Sequence, residues 1–169
     1  MEDQKGWVDY LAQYDIPLII VLSGNKNETL MSGFGSAVWR TDYLLYCMSI
    51  GIKGIYYESV FASYQSVWQP FDSDGSPAQT RGAYYAYPPT AEFIGDTGGK
   101  TSVAQIPVNG TLDGKHFTAY AAYNGSTPAR IALVNFNEWS NNETISRPTT
   151  SVSLTGLSTK GGLGEILEQ

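Results

Sequence analysis

The sequence feature that most constrains the fold is a series of three apolar segments, in which a long segment lies between two short ones. Residues 15–23, DIPLIIVLS, form a short apolar run that is typical of a buried parallel strand. Residues 36–49 predict a helix that ends near Gly51, and residues 52–59, IKGIYYES, predict a second strand. A strand, a helix and a strand in this order predict a parallel β–α–β unit, and such a unit needs neighbouring strands in its sheet.

The predicted helix at residues 36–49 is apolar around most of its circumference. Only Arg40, Thr41 and Asp42 interrupt the apolar pattern. A helix of this kind is normally buried between two layers, so we expect burial for the helix and for Cys47 within it. Because Cys47 is the single cysteine, an internal disulfide is excluded.

The segment after the second predicted strand, residues 59–82, is long for a loop, and its large aromatic residues argue against disorder. Residues 83–95 predict a helix with a kink at Pro88 and Pro89. From residue 98 onward, short β-rich runs alternate with turns that contain Asn and Gly, which predicts antiparallel hairpins. The runs are TSVAQIPV, HFTAYAAY, ARIALVNF and TTSVSLTGL. We therefore place a domain boundary between residues 97 and 98.

Charge and composition limit the classes of partner. The chain of 169 residues has a formal net charge of −6 and lacks any run of Lys or Arg, which argues against nucleic acid or an anionic membrane as partner. No apolar run is long enough to span a bilayer. With one histidine, His116, and one cysteine, a zinc site of the usual kind is excluded, and we expect no metal and no other cofactor.

Four Asn-x-Ser/Thr sequons occur in the chain, more than composition alone predicts; they begin at Asn27, Asn109, Asn124 and Asn142. Their number indicates a glycosylated, secreted protein, so we expect an extracellular location for the parent protein. The first residues, MEDQKGW, are acidic and polar and do not resemble a signal peptide. We therefore expect the parent protein to begin upstream of Met1.

Five stretches of the sequence together resemble a known family. They are, in chain order, SGFGSAVWRTDYLLYCMSIGIKGIYY, FASYQSVWQP, AYYAYPPTAEFIG, FTAYAAYN and ARIALVNFN. The most specific pieces are the Ala-x-Trp-x-x-Asp-Tyr helix and the Tyr-x-x-x-Trp-Gln-Pro loop. Over residues 16–157, the chain resembles the C-terminal third of fungal glycoside hydrolase family 79 proteins, the β-glucuronidase and heparanase-related enzymes.

This resemblance implies a (β/α)₈ barrel followed by an antiparallel β-sandwich-like domain. Residues 1–97 would be the last part of the barrel, with strands seven and eight and their helices, and residues 98–169 would be a truncated C-terminal β domain. Four predicted strands are few for an independent sandwich, which agrees with truncation. Active-site groups of such barrels lie at the C-terminal ends of the strands, so we expect function in the loops that begin at Ser23 and Glu58.

The family resemblance implies hydrolysis with retention, which requires a carboxylic acid/base and a carboxylate nucleophile about 5 Å apart. It places the acid/base on barrel strand four, which this chain lacks. It places the nucleophile just after strand seven, where this sequence has Gly24, and Glu28 is the nearest carboxylate. Glu28 is therefore the catalytic candidate, with a solvated loop carboxylate beside a glycosylated Asn27 as the alternative.

Four further residues are candidates for substrate binding: Tyr57, Glu58, Tyr64 and Lys26. The resemblance implies a histidine at the position of Glu58, whose alternative role is a strand-end carboxylate in water. Tyr56 and Tyr57 point to opposite faces of a strand, so only one can face the barrel interior. Tyr64 has the alternative role of pinning the long loop. Lys26 lies at the strand end where a glucuronide anion would bind, and its alternative role is a surface charge.

The expected function is that of a fragment of a secreted retaining hydrolase that acts on a carbohydrate partner, a glucuronide-type glycoside. We expect the chain alone to be inactive and to need the missing barrel portion. The alternative from a different class is a non-catalytic sugar-binding or vestigial scaffold protein descended from such an enzyme. Two further interpretations are a free-standing domain and a chain without a stable fold, because the apolar edges of an open barrel fragment favour aggregation.

Overall fold

The computed structural model describes residues 2–21, 32–57, 59, 66–73, 77–108, 116–137 and 144. The chain divides after Asn137 into two compact units, Met1–Asn137 and Glu138–Gln169. Of the second unit the structure describes Thr144 alone, so the following account concerns the first unit.

In chain order, the described part of this unit has two helices that alternate with two strands, then a pair of two-residue strands, two consecutive helices and three longer strands. The helices are α1 (Glu2–Ala12), α2 (Phe34–Ser49), a 3₁₀ helix (Gly82–Ala86) and α3 (Tyr87–Ile94). The strands are β1 (Ile19–Val21), β2 (Gly54–Tyr56), β3 (Trp68–Gln69), β4 (Gln79–Thr80), β5 (Thr101–Ile106), β6 (Phe117–Asn124) and β7 (Thr127–Asn135). Within the described segments, no helix combines the length and the apolar character that crossing a membrane requires.

Strands β1 and β2 pair in parallel, with α2 between them in the chain. Ile19 lies opposite Gly54, and Val21 lies opposite Tyr56. The predicted parallel β–α–β unit is therefore confirmed, although each strand has three residues and is shorter than predicted. The predicted burial of the first strand is wrong in part, because Ile19 is 46% exposed. On the second strand, Tyr56 is 61% exposed. Parallel strands are normally covered on both faces, so this pair carries apolar surface that a larger sheet would bury.

Helix α2 has nearly the predicted bounds and ends as the sequence predicts. The backbone N–H of Ile50 donates to the carbonyl of Tyr46, and Gly51 follows in the left-handed region with φ of 88°. Its pattern of burial differs from the prediction, because Arg40 and Asp42 are buried whereas Trp39 is 41% exposed. Two of the three residues that interrupt the apolar pattern are thus enclosed by the fold together with the apolar residues of the helix.

Cys47 is fully buried on α2, as predicted. Burial raises the pKa of its thiol to about 11. A thiol in this state is largely protonated at neutral pH and behaves as a small apolar side chain.

The segment at residues 82–94 forms two consecutive helices. The 3₁₀ helix Gly82–Ala86 leads directly into α3, and Pro88 and Pro89 lie in the first turn of α3. Proline is tolerated in a first turn because the N–H groups there have no partner within the helix. The predicted kink in mid-helix is therefore wrong, since the two prolines stand where the α-helix starts.

The antiparallel hairpins predicted after residue 98 are confirmed for three strands. The sheet has the order β5-β6-β7, with Thr101 opposite Asn124 and Phe117 opposite Asn135. Gly125, which turns the chain between β6 and β7, has a φ of 64°, a conformation that favours glycine. The fourth predicted strand, TTSVSLTGL, lies outside the described residues.

One hydrophobic core joins α2, α3 and the antiparallel sheet. Its buried members are Leu45, Phe93, Tyr120, Ala122 and Val134. Residues on both sides of position 98 therefore contribute to the same core, and the domain boundary at that position stays a prediction.

A buried polar contact fixes α2 to the antiparallel sheet. The carboxylate of Asp42 accepts hydrogen bonds from the hydroxyl of Thr118 at 2.5 Å and from the hydroxyl of Tyr120 at 2.7 Å. Burial, reinforced by the hydrogen bond to Asp42, raises the pKa of Tyr120. Because Asp42 and Tyr120 are 78 positions apart in the chain, this contact depends on the tertiary fold.

A second buried cation organises the segment at residues 66–81. Arg81 is 1% exposed and donates to the backbone carbonyl of Ser66 at 2.9 Å and to the side-chain oxygen of Gln69 at 2.5 Å. Trp68, in contrast, is 55% exposed. The buried Arg81 guanidinium, which directly follows β4, therefore adds side-chain contacts to Ser66 and to Gln69 of β3 beside the backbone pairing of the two strands.

Candidate functional site

Two of the predicted site residues fall within the described part of the chain. Tyr57 directly follows strand β2, and Asn124 ends strand β6. The others lie outside the described residues, and their roles stay predictions: Lys26, Asn27, Glu28, Glu58, Tyr64, Asn109 and Asn142.

Asn124 is exposed at the hairpin between β6 and β7. An exposed turn position is accessible to glycosylation. Use of this sequon stays a prediction.

Tyr57 lies at the C-terminal end of a parallel strand, the position where sequence analysis predicts function. Its ring is partly buried and lies beneath the guanidinium of Arg40, with 3.9 Å between the guanidinium carbon and the ring centre. Burial raises the pKa of the Tyr57 hydroxyl, and the charge of Arg40 offsets part of that rise. The hydroxyl oxygen is buried and has no hydrogen-bond partner among the described residues.

Arg40 reaches this position from the second turn of α2 and is fully buried. Its Nη1 donates to the hydroxyl of Tyr87 at 2.9 Å. Its Nε and Nη2 are buried and have no acceptor among the residues that the structure describes. Since buried polar groups are almost always hydrogen-bonded, two orphaned donors on one guanidinium are an unusual feature.

Tyr87 completes a compact group, and we call Arg40, Tyr57 and Tyr87 the arginine–tyrosine cluster. The guanidinium carbon of Arg40 lies 5.7 Å from the Tyr87 ring centre, and the rings of Tyr57 and Tyr87 meet edge to face at 6.4 Å. A cation over aromatic faces gains electrostatic energy, and the gain is largest where water is excluded. The cluster therefore holds a positive charge in a fixed orientation.

Two more tyrosines extend the cluster to the surface. Tyr84 contacts Tyr87 edge to face at 6.3 Å, and Tyr85 contacts Tyr84 at 5.6 Å. Tyr84 is 43% exposed and Tyr85 is 56% exposed. A continuous series of aromatic rings thus connects the buried guanidinium with solvent.

This arrangement favours binding over proton transfer. Among the described residues, no carboxylate has a hydrogen bond or an ion pair with the arginine–tyrosine cluster. An arginine remains charged and donates hydrogen bonds only, so it serves to hold an anion and not to exchange protons. No group of acidic, His and Cys side chains suited to a metal ion occurs in the described part of the chain.

Sequence analysis missed Arg40 and Tyr87 as site residues. Arg40 did carry a usable signal, because a charged residue inside an otherwise apolar helix is rarely buried without a partner. Tyr87 carried no such signal, since it is one of twelve tyrosines and its contact with Arg40 spans 47 positions.

Comparison with known proteins finds a family model that matches one segment of the chain. Residues 119–166 match the family model described as the glycosyl hydrolase family 79 C-terminal beta domain. This match covers most of β6, all of β7 and residues beyond the described part. The resemblance to the C-terminal part of a family 79 glycoside hydrolase is confirmed.

Two fungal relatives are similar to a larger part of the chain. A β-glucuronidase of Neurospora crassa is 27% identical over 119 residues, which cover 65% of this chain. A β-glucuronidase of Aspergillus niger is 27% identical over 117 residues, which cover 69% of this chain. The aligned part is 21% of each relative, so the chain spans about a fifth of the length of these relatives. No solved structure matches the chain significantly.

Proposed function

We propose that this chain is the C-terminal part of a secreted, glycosylated hydrolase that cleaves glucuronide-type glycosides with retention of configuration. In this proposal, β1 and β2 are the seventh and eighth strands of a (β/α)₈ barrel, and the antiparallel sheet belongs to the C-terminal β domain. The observation that carries the proposal is the parallel pairing of β1 with β2, which α2 connects in the chain. The side chains of Ile19 and Tyr56 on this pair are largely exposed. A complete barrel would supply the strands that cover these side chains.

The site lies at the C-terminal ends of the two parallel strands. Glu28 is the proposed nucleophile, and Tyr57, Glu58, Tyr64 and Lys26 are the proposed contacts with the sugar. Retaining hydrolysis needs a second carboxylate about 5 Å away, which acts first as acid and then as base. In the proposed barrel this residue lies on strand four, so the 169-residue chain alone is inactive.

The alternative is a non-catalytic sugar-binding or vestigial scaffold protein of the same ancestry. Gly24 at the expected position of the nucleophile supports this alternative. So does the arginine–tyrosine cluster, which has binding groups and no carboxylate contact in the described residues.

The deciding experiment measures hydrolysis and polypeptide mass on the same natural material. The natural protein is purified, its N-glycans are removed, and its mass is compared with the 18.4 kDa of this chain. The proposal expects a species several times larger that hydrolyses an aryl β-glucuronide, and an isolated 169-residue chain that does not. An aryl β-glucoside is the matched substrate without the carboxylate.

Two outcomes contradict this proposal. A natural species near 18.4 kDa without hydrolytic activity favours the binding or scaffold alternative. Turnover by the isolated chain that is lost in Glu28→Gln contradicts the need for a separate acid/base residue.

A further inference from the structure

Two hydrogen-bond donors of the Arg40 guanidinium, Nε and Nη2, are buried and lack an acceptor among the described residues. Nη1 is engaged by the Tyr87 hydroxyl at 2.9 Å, whereas Nε and Nη2 have no acceptor among the described residues. The N–H groups of Nε and Nη2 lie on the same edge of the guanidinium and point in parallel. This pair of donors matches the two oxygens of a carboxylate, the geometry of a bidentate ion pair.

We propose that the arginine–tyrosine cluster is a binding site for a carboxylate, which the Nε and Nη2 donors of Arg40 hold. The inference goes beyond the proposed function, because it requires neither hydrolysis nor an acid/base residue. It assigns a ligand chemistry to Arg40, a residue outside the predicted strand-end set.

A singly charged carboxylate fits the charge of the site better than a phosphate does. One guanidinium, and no second cation, is in contact with the rings of Tyr57 and Tyr87 in the described structure. A carboxylate neutralises this charge, whereas a dianion would leave excess negative charge in a buried site of a chain whose net charge is already −6.

The site has a short route to solvent through its tyrosines. Arg40 is fully buried, but the rings of Tyr57 and Tyr87 that cover it are each partly exposed. The guanidinium is therefore separated from solvent on this side by the thickness of a side chain. The buried hydroxyl of Tyr57, which lacks a partner in the described residues, is a further donor for the bound group.

Two sources can supply such a carboxylate: a sugar acid, or an acidic side chain of another polypeptide segment. The aromatic series from Tyr57 to the exposed Tyr84 and Tyr85 offers apolar ring faces beside the charge. A sugar acid would use both the charge and the ring faces, whereas an acidic side chain would use the charge alone.

The test measures binding directly on the purified 169-residue chain. The ¹⁵Nε–¹Hε signal of Arg40 is followed by NMR during titration with sodium acetate, sodium glucuronate, glucose and sodium phosphate, at constant ionic strength. The proposal expects a saturable shift with both carboxylates and none with glucose. Glucuronate binding that is roughly tenfold tighter than acetate binding supports a sugar acid as ligand. Equal affinities support a carboxylate from another polypeptide segment.

Variants separate binding from folding. Arg40→Lys keeps the charge but lacks the paired donors, so carboxylate affinity falls roughly tenfold or more while the circular dichroism spectrum is retained. Tyr57→Phe keeps the ring and removes the orphaned hydroxyl, and it provides a second variant if Arg40→Lys does not fold. Arg130→Lys makes the same exchange at an exposed arginine of β7 and leaves the affinity unchanged.

The proposal is overturned by three results. One is the absence of a saturable shift with either carboxylate on the folded chain. Another is binding of phosphate in preference to acetate. The third is carboxylate affinity that is the same in Arg40→Lys as in the unmodified chain. Because none of these results depends on turnover, they are independent of whether the larger protein hydrolyses a glucuronide.

Discussion

The guanidinium of Arg40 lies over the ring of Tyr57, 3.9 Å from the ring centre, and joins a helix to the end of a parallel strand. A charge in this position is favoured by the aromatic face but disfavoured by the loss of water. Because two of its nitrogens lack acceptors in the described residues, the burial of Arg40 lowers the free energy of unfolding relative to a fully hydrogen-bonded arginine. Arg40 therefore contributes less to stability than its full burial suggests.

Replacing Arg40 by an apolar side chain of similar length tests this cost. In Arg40→Met, we expect the free energy of unfolding, measured with urea, to be unchanged or up to about 2 kcal/mol higher. The reason is that the variant removes a buried charge that lacks a full set of partners. Arg130→Met at an exposed position is the control and changes stability by less than about 0.5 kcal/mol. A loss above about 2 kcal/mol in Arg40→Met contradicts the expectation.

Asp42 has the opposite role, because its Oδ1 accepts two hydrogen bonds from the antiparallel sheet. Asp42→Ala leaves the buried hydroxyl of Tyr120 and the hydroxyl of Thr118 without their acceptor, so we expect a loss of about 3 kcal/mol in urea unfolding. Asp96→Ala, at an exposed position, is the matched control and changes stability by less than about 0.5 kcal/mol.

A double-mutant cycle identifies the source of the Asp42 effect. In the background Thr118→Val with Tyr120→Phe, both donors are absent, and Asp42→Ala should cost about 1–2 kcal/mol less than in the unmodified chain. Equal costs in the two backgrounds would show that Asp42 acts through something other than these hydroxyls.

Gly82 marks a close approach between two backbone segments. A Cβ added there would clash with the carbonyl oxygen of Gly33 and lie 2.7 Å from the carbonyl oxygen of Ser32. Backbone atoms cannot yield as a flexible side chain does, so Gly82→Ala should destabilise the chain by about 3 kcal/mol in thermal or urea unfolding. Gly35→Ala, in helix α2 with open space at its Cβ, is the control and should be neutral or stabilising by about 1 kcal/mol. A tolerated Gly82→Ala would contradict this packing.

The elements that sequence analysis predicted well are those that local patterns determine. The apolar pattern predicts the helix that ends shortly before Gly51, and alternation with Asn-Gly turns predicts the three antiparallel strands. The arginine–tyrosine cluster could not be predicted, because its members come from three segments that only the tertiary fold brings together. The kink predicted at Pro88 and Pro89 was wrong because proline is found in the first turn of a helix as well as at a break within one, and the sequence pattern does not distinguish the two positions.

The raised pKa values of Tyr57 and Tyr120 predict a loss of stability at alkaline pH. Below the ordinary tyrosine pKa of 10, the hydroxyls of Tyr57 and Tyr120 are protonated in both the folded and the unfolded chain. Above pH 10 the unfolded chain releases these two protons, whereas the folded chain retains them. The free energy of unfolding should therefore fall above pH 10, by about 1.4 kcal/mol per pH unit for each tyrosine. Urea unfolding between pH 9 and 11 should show a shallower fall in Tyr57→Phe than in Tyr56→Phe, the exposed control. Equal pH dependence of the free energy of unfolding in the two variants would contradict a contribution of Tyr57 to the loss of stability at alkaline pH.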